Sequence, residues 1–317
     1  GLNLWIGSSL QWQLNQAYRQ RRAMAQCPPP LPLRAPASVE PEQAGRAAAP
    51  KVAALTKAQR WEERKALISA GRDNPSAKVN AAAQRLARNN VAVEKARLTD
   101  HVYEPTRPVP EGWRNASGDL QTLDGHGLKV DDFQSDGSNL RVQLYAPDRS
   151  VFGDDMISTV SFKGTEVTSL EDWGNNFSQA VNLKSAYYER AVQLGEKLAD
   201  DPFPIDVAGH SQGGGLCAAA SSVSGKACWS FNAAGLHPKT VERYGGTSQP
   251  SEVYAYHVKG EILTSLQSWL PLPEAVGTPY ALDGKGSSIS RHFISQAIDG
   301  IEKQKQEDIS ILQDVSP

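Results

Sequence analysis

Ser211 lies at the centre of Gly209-His210-Ser211-Gln212-Gly213, a G-x-S-x-G pattern set between a short apolar run, residues 203–208, and an Ala-rich segment, residues 216–223. A β-compatible run, a sharp turn and a helix-compatible run in that order describe a nucleophile elbow, which strains the serine backbone and lifts its hydroxyl above a sheet at the start of a helix. Glycines flank the serine because a Cβ at Gly209 or Gly213 is expected to collide with the other arm of the turn. A flexible Gly/Ser loop would explain Gly213-Gly214-Gly215 alone, but not the strand and helix signals on either side. The chemistry of such a serine is acyl transfer. Its hydroxyl is a poor nucleophile at neutral pH until a base takes the proton, so a histidine and an orienting carboxylate must stand elsewhere in the chain.

An elbow predicts the order of these partners: the acid and then the histidine follow the serine, on loops at the carboxyl ends of later strands. Three histidines lie downstream: His237, His257 and His292. His292 follows the Gly284-Lys285-Gly286-Ser287-Ser288 loop, after the last expected strand and near the start of a final helical segment, and is the candidate base. The plainer reading is a surface histidine on an amphipathic helix. His257 falls inside a strand-like run, His237-Pro238 reads as a turn, and His210 is turned away by the elbow and reads as packing. For the acid, Glu261 stands just past residues 253–258 in Lys259-Gly260-Glu261, with Asp283 and then Glu274 as alternatives; an exposed turn carboxylate is its bland reading.

Around these residues the sequence alternates strand and helix signals. Residues 140–145 and 157–162 alternate at period two, residues 176–200 carry helical spacing through Ala180, Leu183, Tyr187, Ala191 and Leu194, and further strands are expected at 227–231 and 253–258 before a helix around 292–301. Such alternation predicts an α/β fold, a mostly parallel sheet with helices on both faces, with the strands at 140–145 and 157–162 as an antiparallel edge.

Charge divides the chain. Residues 1–99 hold 16 of the 33 Lys and Arg but 6 of the 35 Asp and Glu, leaving 17 against 29 in residues 100–317, so a basic arm of about +10 precedes an acidic body of about −12. The arm is expected to be a docking helix from Ser8 or Ser9 to about Ala25, a Pro/Ala-rich linker to about Pro50, and helices over 56–70 and 76–97. It reads as a docking or partner-binding region before a catalytic domain at 100–317. Its basic helices lack aromatic interleaving, so a solvated basic face is favoured over nucleic-acid binding. No window approaches the roughly 18 apolar residues of a membrane span, and Gly1 to Trp12 lacks the n-region and apolar core of a signal peptide. Synthesis in the cytoplasm is expected; because the chain does not begin with Met, residues ahead of Gly1 are left open. The three cysteines, Cys27, Cys217 and Cys228, have no metal-ligand spacing, and their odd count argues against a disulfide framework.

Ser161-Phe162-Lys163-Gly164-Thr165 followed by Asp172-Trp173-Gly174-Asn175 resembles the F-R-G-[ST] and D-W-x-x-N segments of the class 3 lipases, within the α/β-hydrolase superfamily. Asn232 to Leu236 is similar to the corresponding stretch of bacterial phospholipase-like members. The resemblance spans roughly residues 100–305. It implies an oxyanion hole built from the backbone N–H groups of Thr165 and Gln212, which would point at the oxygen that becomes negative in the tetrahedral intermediate. It also implies a lid over residues 166–177 containing Val167, Leu170 and Trp173. Three departures stand out: Lys163 replaces the commoner Arg, Glu261 the commoner Asp, and residues 263–273 are longer than the family's segment after the acid. In that longer stretch Leu263, Leu266, Trp269, Leu270 and Leu272 form an apolar cluster which, with Leu170 and Trp173, is expected to wall an acyl-chain pocket or rest on a lipid surface.

These residues together predict a serine hydrolase of lipid esters, a phospholipase or lipase, with no metal and no cofactor. The partners expected are a lipid substrate and a membrane surface. The lipase-like body behind a Pro-interrupted helical region also resembles in organisation the lipase effectors that bacteria deliver into rival cells, which implies possible secretion and a cognate immunity protein. Two other readings remain open: a soluble-ester hydrolase, thioesterase or acyltransferase on the same scaffold, and a non-enzymatic adaptor with a vestigial body.

Overall fold

The computed structural model describes residues 53–164, 177–233, 240–263, 277–288 and 290–315, with 177–185 and 240 given by backbone alone. The helix expected at 8–25 and the linker to residue 50 lie outside the described residues. The first described helix, α1 (Lys57–Arg72), opens on a capping box. Thr56 Oγ1 accepts from the Gln59 N–H at 3.2 Å while Gln59 Oε1 accepts from the Thr56 N–H at 2.9 Å, so two of the helix's orphan donors are satisfied reciprocally. Ser76 caps α2 (Ala77–His101) one way only, its hydroxyl accepting from the Val79 N–H at 3.4 Å.

Among the described residues seven strands follow: β1 (Trp113–Asn115), β2 (Arg141–Pro147), β3 (Ser158–Lys163), β4 (Ile205–His210), β5 (Cys228–Phe231), β6 (Val253–Val258) and β7 (Thr278–Leu282). They lie side by side in chain order. β1 and β2 are antiparallel to their neighbours, and from β3 onward every pairing is parallel. β2 and β3 pair antiparallel, as the alternation suggested; β1 extends that antiparallel edge outward, and β3 is where the parallel set begins. β7 was not expected, because Pro279 and a largely exposed outer edge hide its strand pattern.

A strand order that never reverses has a topological consequence. Crossovers between parallel strands are right-handed, so α5 (Phe177–Ala199), between β3 and β4, and α6 (Gln212–Ser224), between β4 and β5, must lie on the same face. There Tyr187, Ala191 and Leu198 pack with Val160, Val207 and Leu216. The small elements preceding α5 are α3 (Leu120–Gly125) and α4 (Arg149–Phe152), and α7 (Thr240–Arg243) follows α6. The other face must be covered by helices that come before or after the sheet. α2 and α8 (Ile294–Asp314) do this, bringing Ala92, Val93, Ala96, Ile294, Ala297 and Ile301 onto Ala208, Trp229, Phe231, Tyr256 and Val258.

The division at residue 99 expected from charge is therefore not a packing boundary for residues 57–101. The basic residues there answer the acidic body. Arg85 meets Asp308 at 2.7 Å, Arg97 meets Glu302 at 2.8 Å and Lys65 meets Asp155 at 2.7 Å. Deeper still, Lys95 reaches through the α2 contact to Asp206 of β4 at 2.8 Å, and its remaining donors go to Thr159 Oγ1 at 2.7 Å and the Ile157 carbonyl at 3.2 Å. Thr159 in turn donates to the other Asp206 oxygen at 2.6 Å. Burial pushes the Lys95 ammonium pKa down and the Asp206 carboxyl pKa up, and each opposes the other's shift by its charge.

Cys217 on α6 and Cys228 on β5 form a disulfide, with Cα atoms 6.2 Å apart. The odd cysteine count argued against a disulfide framework, but packing the elbow helix on the next strand brings these two within bonding reach whatever the total.

Removing one member of the buried ion pair strands the other. Lys95→Met should lower unfolding free energy by about 3–5 kcal/mol, and Lys95→Met with Asp206→Leu should recover most of that loss, both read by urea denaturation. A single mutant as stable as the parent would show that the pair does not hold α2 to the sheet.

Candidate active site

β4 ends at His210 and α6 begins at Gln212, leaving Ser211 as the single residue of the turn, with φ 57° and ψ −123°. That conformation is rare for a residue with a Cβ. It is over-determined by its neighbours: the Ser211 N–H donates to the Phe231 carbonyl at 3.0 Å and its own carbonyl accepts from Gly214 at 3.0 Å, starting the helix. A Cβ on Gly209 would land on the Gly213 carbonyl, the collision expected between the two arms. A Cβ on Gly213 would instead strike the Phe162 carbonyl of β3, so the second glycine answers to the neighbouring strand and not to the turn.

Ser211 Oγ lies 2.9 Å from His292 Nε2, and His292 Nδ1 lies 2.7 Å from Glu261 Oε2. All three residues are nearly inaccessible, at 2 %, 3 % and 2 % exposure. The carboxylate can only accept, so Nδ1 carries the ring proton and Nε2 presents its lone pair to the serine hydroxyl. Glu261 arrives by a tight turn after β6, in which its N–H returns to the Val258 carbonyl at 3.1 Å. His292 ends a short 3-10 turn, Ser290–His292, just ahead of α8. Asp283, the alternative acid, is elsewhere: it is exposed, and hydrogen bonds from Lys303 at 3.0 Å and Lys259 at 3.2 Å hold its carboxyl below the usual range. Glu274 lies outside the described residues.

Of the expected oxyanion donors, Gln212 is the first residue of α6, where the helix dipole favours negative charge. Thr165 lies outside the described residues, as do Leu170, Trp173 and Trp269 of the expected substrate wall. Leu263 is buried, and its backbone N–H donates to Glu261 Oε2 at 3.0 Å, so its main chain holds the acid. Among the described residues no group of three His, Cys, Asp or Glu is arranged to hold a metal ion.

Three residues around the histidine were not singled out as functional from sequence. The His292 carbonyl receives hydrogen bonds from His210 Nε2 at 2.7 Å and from Asn232 Nδ2 at 2.9 Å. Asn232 also accepts the Val258 N–H at 2.9 Å, so one buried amide ties the histidine loop to the strand that delivers the acid. It does this from φ 44°, a conformation that Asn tolerates better than most side chains. His210 packs, as expected from its place beside the serine, but its packing is specific: Nε2 faces the carbonyl and Nδ1 meets the Tyr103 hydroxyl at 2.7 Å. Arg291 donates to the carbonyls of Gly286 and Lys259, both at 2.9 Å, stapling the same two loops from outside. The one sequence signal was Asn232 itself, a polar residue directly after an apolar strand.

A mostly parallel sheet whose fourth strand turns through a strained G-x-S-x-G into a helix, with carboxylate and histidine delivered from beyond later strands, defines an α/β-hydrolase. The chain belongs to the Tle-like phospholipase family, whose domain matches residues 94–305, and it is a hydrolase of lipid esters. It is 26 % identical over 235 residues to an extracellular phospholipase A1 of Serratia liquefaciens, an alignment covering 66 % of this chain and 70 % of that one. Two solved structures of an esterase from Pyrobaculum calidifontis align loosely. They have TM-scores of 0.29 and 0.28 at 11 % and 12 % identity, covering 80 % and 81 % of this chain and 97 % and 99 % of theirs. The fold assignment rests on the sheet and the family match, not on these.

Asn232→Ala leaves the Val258 N–H and half of the His292 carbonyl contact unmade, which should cost about 1–3 kcal/mol of stability. A misplaced imidazole should lower kcat by about a hundredfold while KM moves little. Steady-state kinetics beside thermal unfolding check this; a stability loss with unchanged kcat would make Asn232 a packing residue only.

Proposed function

We propose that the protein cleaves carboxylic esters of phospholipids through an acyl-enzyme on Ser211. The observation that carries this reading is the hydrogen-bonded series Glu261–His292–Ser211 on a strained elbow in a phospholipase-family chain. His292 Nε2 takes the Ser211 proton as Oγ attacks the ester carbonyl carbon. The resulting oxyanion is received by the N–H groups of Gln212 and Thr165. His292 then returns the proton to the departing glycerol oxygen, leaving the acyl group on Ser211; a water molecule, deprotonated by the same nitrogen, attacks that ester, releases the fatty acid and restores the hydroxyl. Glu261 keeps the imidazole in the correct tautomer and stabilises its charged form.

Leu170, Trp173, Leu263 and Trp269 are proposed to meet the acyl chains, with a membrane surface as the site of action. Among the described residues no helix is long and apolar enough to cross a membrane. Action outside the producing cell is supported by the extracellular relative. A cognate immunity protein remains the partner proposed for a delivered effector.

Ser211→Ala and His292→Ala should each reduce ester hydrolysis by several orders of magnitude while the protein stays folded, because the relay works as a unit. Glu261→Gln should be damaging and Asp283→Asn nearly silent. A fluorophosphonate probe should label Ser211 in the parent and nothing in Ser211→Ala. Full hydrolysis by Ser211→Ala would overturn the assignment.

Activity per molecule should be higher on phospholipid vesicles than on the same ester as dispersed monomers. Trp173→Ser with Trp269→Ser should abolish that advantage while a short soluble ester is still cleaved. Equal rates on both forms, untouched by the double substitution, would identify a soluble-ester hydrolase.

A further inference from the structure

At the upper edge of β2 and β3, beside the serine turn, a cavity of about 170 Å³ is lined by Phe133, Ser135, Ser138, Arg141, Gln143 and Lys163, among others. By the share of liquid volume of a water molecule it has room for roughly five waters, more than a phosphate group needs. Arg141 and Lys163 are direct partners in the β2–β3 register. Like charges placed directly opposite across two strands repel. Arg141 donates to the carbonyls of Val102 and Tyr103 at 3.0 and 2.7 Å, and among the described residues no carboxylate pairs with it. Lys163, itself buried, donates to the Asn139 carbonyl at 3.1 Å. Asp136, in the neighbouring loop, is engaged by the Ser138 hydroxyl and by Arg190 at 3.6 Å. The Ser138 hydroxyl and the Gln143 amide are already engaged, by Asp136 and by the Val142 carbonyl, so the cations carry the recognition: a guanidinium and an ammonium lining one small cavity is chemistry that recognises phosphate.

The location gives this cavity a purpose. Phe162 pairs with Gly209, so Lys163 stands alongside His210 on the adjoining strand, one residue short of Ser211. With strands about 4.8 Å apart, an anion held there lies on the order of 10 Å from the serine hydroxyl. In a glycerophospholipid the phosphodiester and the acyl esters are separated by only the glycerol carbons. We infer that the Arg141–Lys163 cavity binds the phosphodiester of the phospholipid headgroup and so sets which ester reaches Ser211. This rests on the phospholipid reading above.

Phosphorus NMR titration with glycerophosphocholine and, separately, inorganic phosphate tests the site without turnover. It is run on the full chain and on Arg141→Gln and Lys163→Gln, alongside hydrolysis of a short-chain phosphatidylcholine and a diacylglycerol of the same chain length. Glycerophosphocholine should bind saturably, and each substitution should weaken it about tenfold, as loss of a charge-assisted contact does. KM for the phosphatidylcholine should rise in parallel, and KM for the diacylglycerol should not. If Arg141→Gln fails to fold because the Val102 and Tyr103 carbonyls lose their donor, Lys163→Gln decides. Binding of inorganic phosphate alone would make this a free-phosphate site and overturn the headgroup assignment; so would no binding, or binding that neither substitution alters. Binding as expected with neither lipid hydrolysed by the parent would leave the anion site standing and sink the hydrolase reading instead.

Discussion

The backbone of Ser211 cannot relax, and the rest of the site depends on that. Three chain segments meet at the turn more closely than any side chain on Gly209 or Gly213 would permit, and the φ of 57° is what remains once they have packed. Local strain of this kind costs about 1–3 kcal/mol and persists only where surrounding structure imposes it. Here the imposing structure is the register of β3, β4 and β5. The same register sets the position of the Phe231 carbonyl that holds the serine N–H and of Asn232, the next residue, that holds the histidine loop. Nucleophile and base are thus positioned from one strand end.

The second organising fact is charge. Read along the chain, a basic segment and an acidic one suggest separate units with separate partners. In three dimensions many of those charges belong to each other. The strand order obliges helices from both ends of the fold to cover one face, and Arg85–Asp308, Arg97–Glu302 and Lys95–Asp206 are the polar side of that arrangement. Arg97–Glu302, partly exposed on both sides, contributes little by itself, whereas Asp308 is buried beneath Arg85. Lys95–Asp206 differs because it is buried, and its worth is in specificity: only one seating of α2 satisfies both charges.

What was legible in the sequence was local. The elbow, the helices beginning near Thr56 and Ser76, and the central strands are written in consecutive residues. Ser211, Glu261 and His292 could be proposed because the elbow implies an order for its partners, and the structure brings the three into hydrogen-bond contact. What depended on pairing across distance was hidden. β1 is too short for a pattern, β7 carries a proline, and nothing near Asn232 or His210 in the chain announces that both grip the carbonyl of residue 292. The disulfide was missed for the same reason: cysteine parity says nothing about which helix lies on which strand. Composition misled at the basic arm, since net charge per segment does not say where the counter-charges sit.

The covering of one sheet face by α2 and α8 also bears on how the molecule forms. These helices lie some two hundred residues apart in the chain, and every strand is made between them. Closing so long a loop is entropically unfavourable and slow, and until α8 arrives the apolar side chains of β4, β5 and β6 on that face are only half sheltered. His292 immediately precedes α8, and the groups that hold it, His210, Asn232 and Glu261, come from β4 and from just beyond β5 and β6, so base and nucleophile meet only when the C-terminal segment is seated on strands laid down earlier in the chain. Competence to attack an ester is therefore a property of the closed fold as a whole: loosening α8 from the sheet would withdraw the base while leaving the serine turn itself untouched.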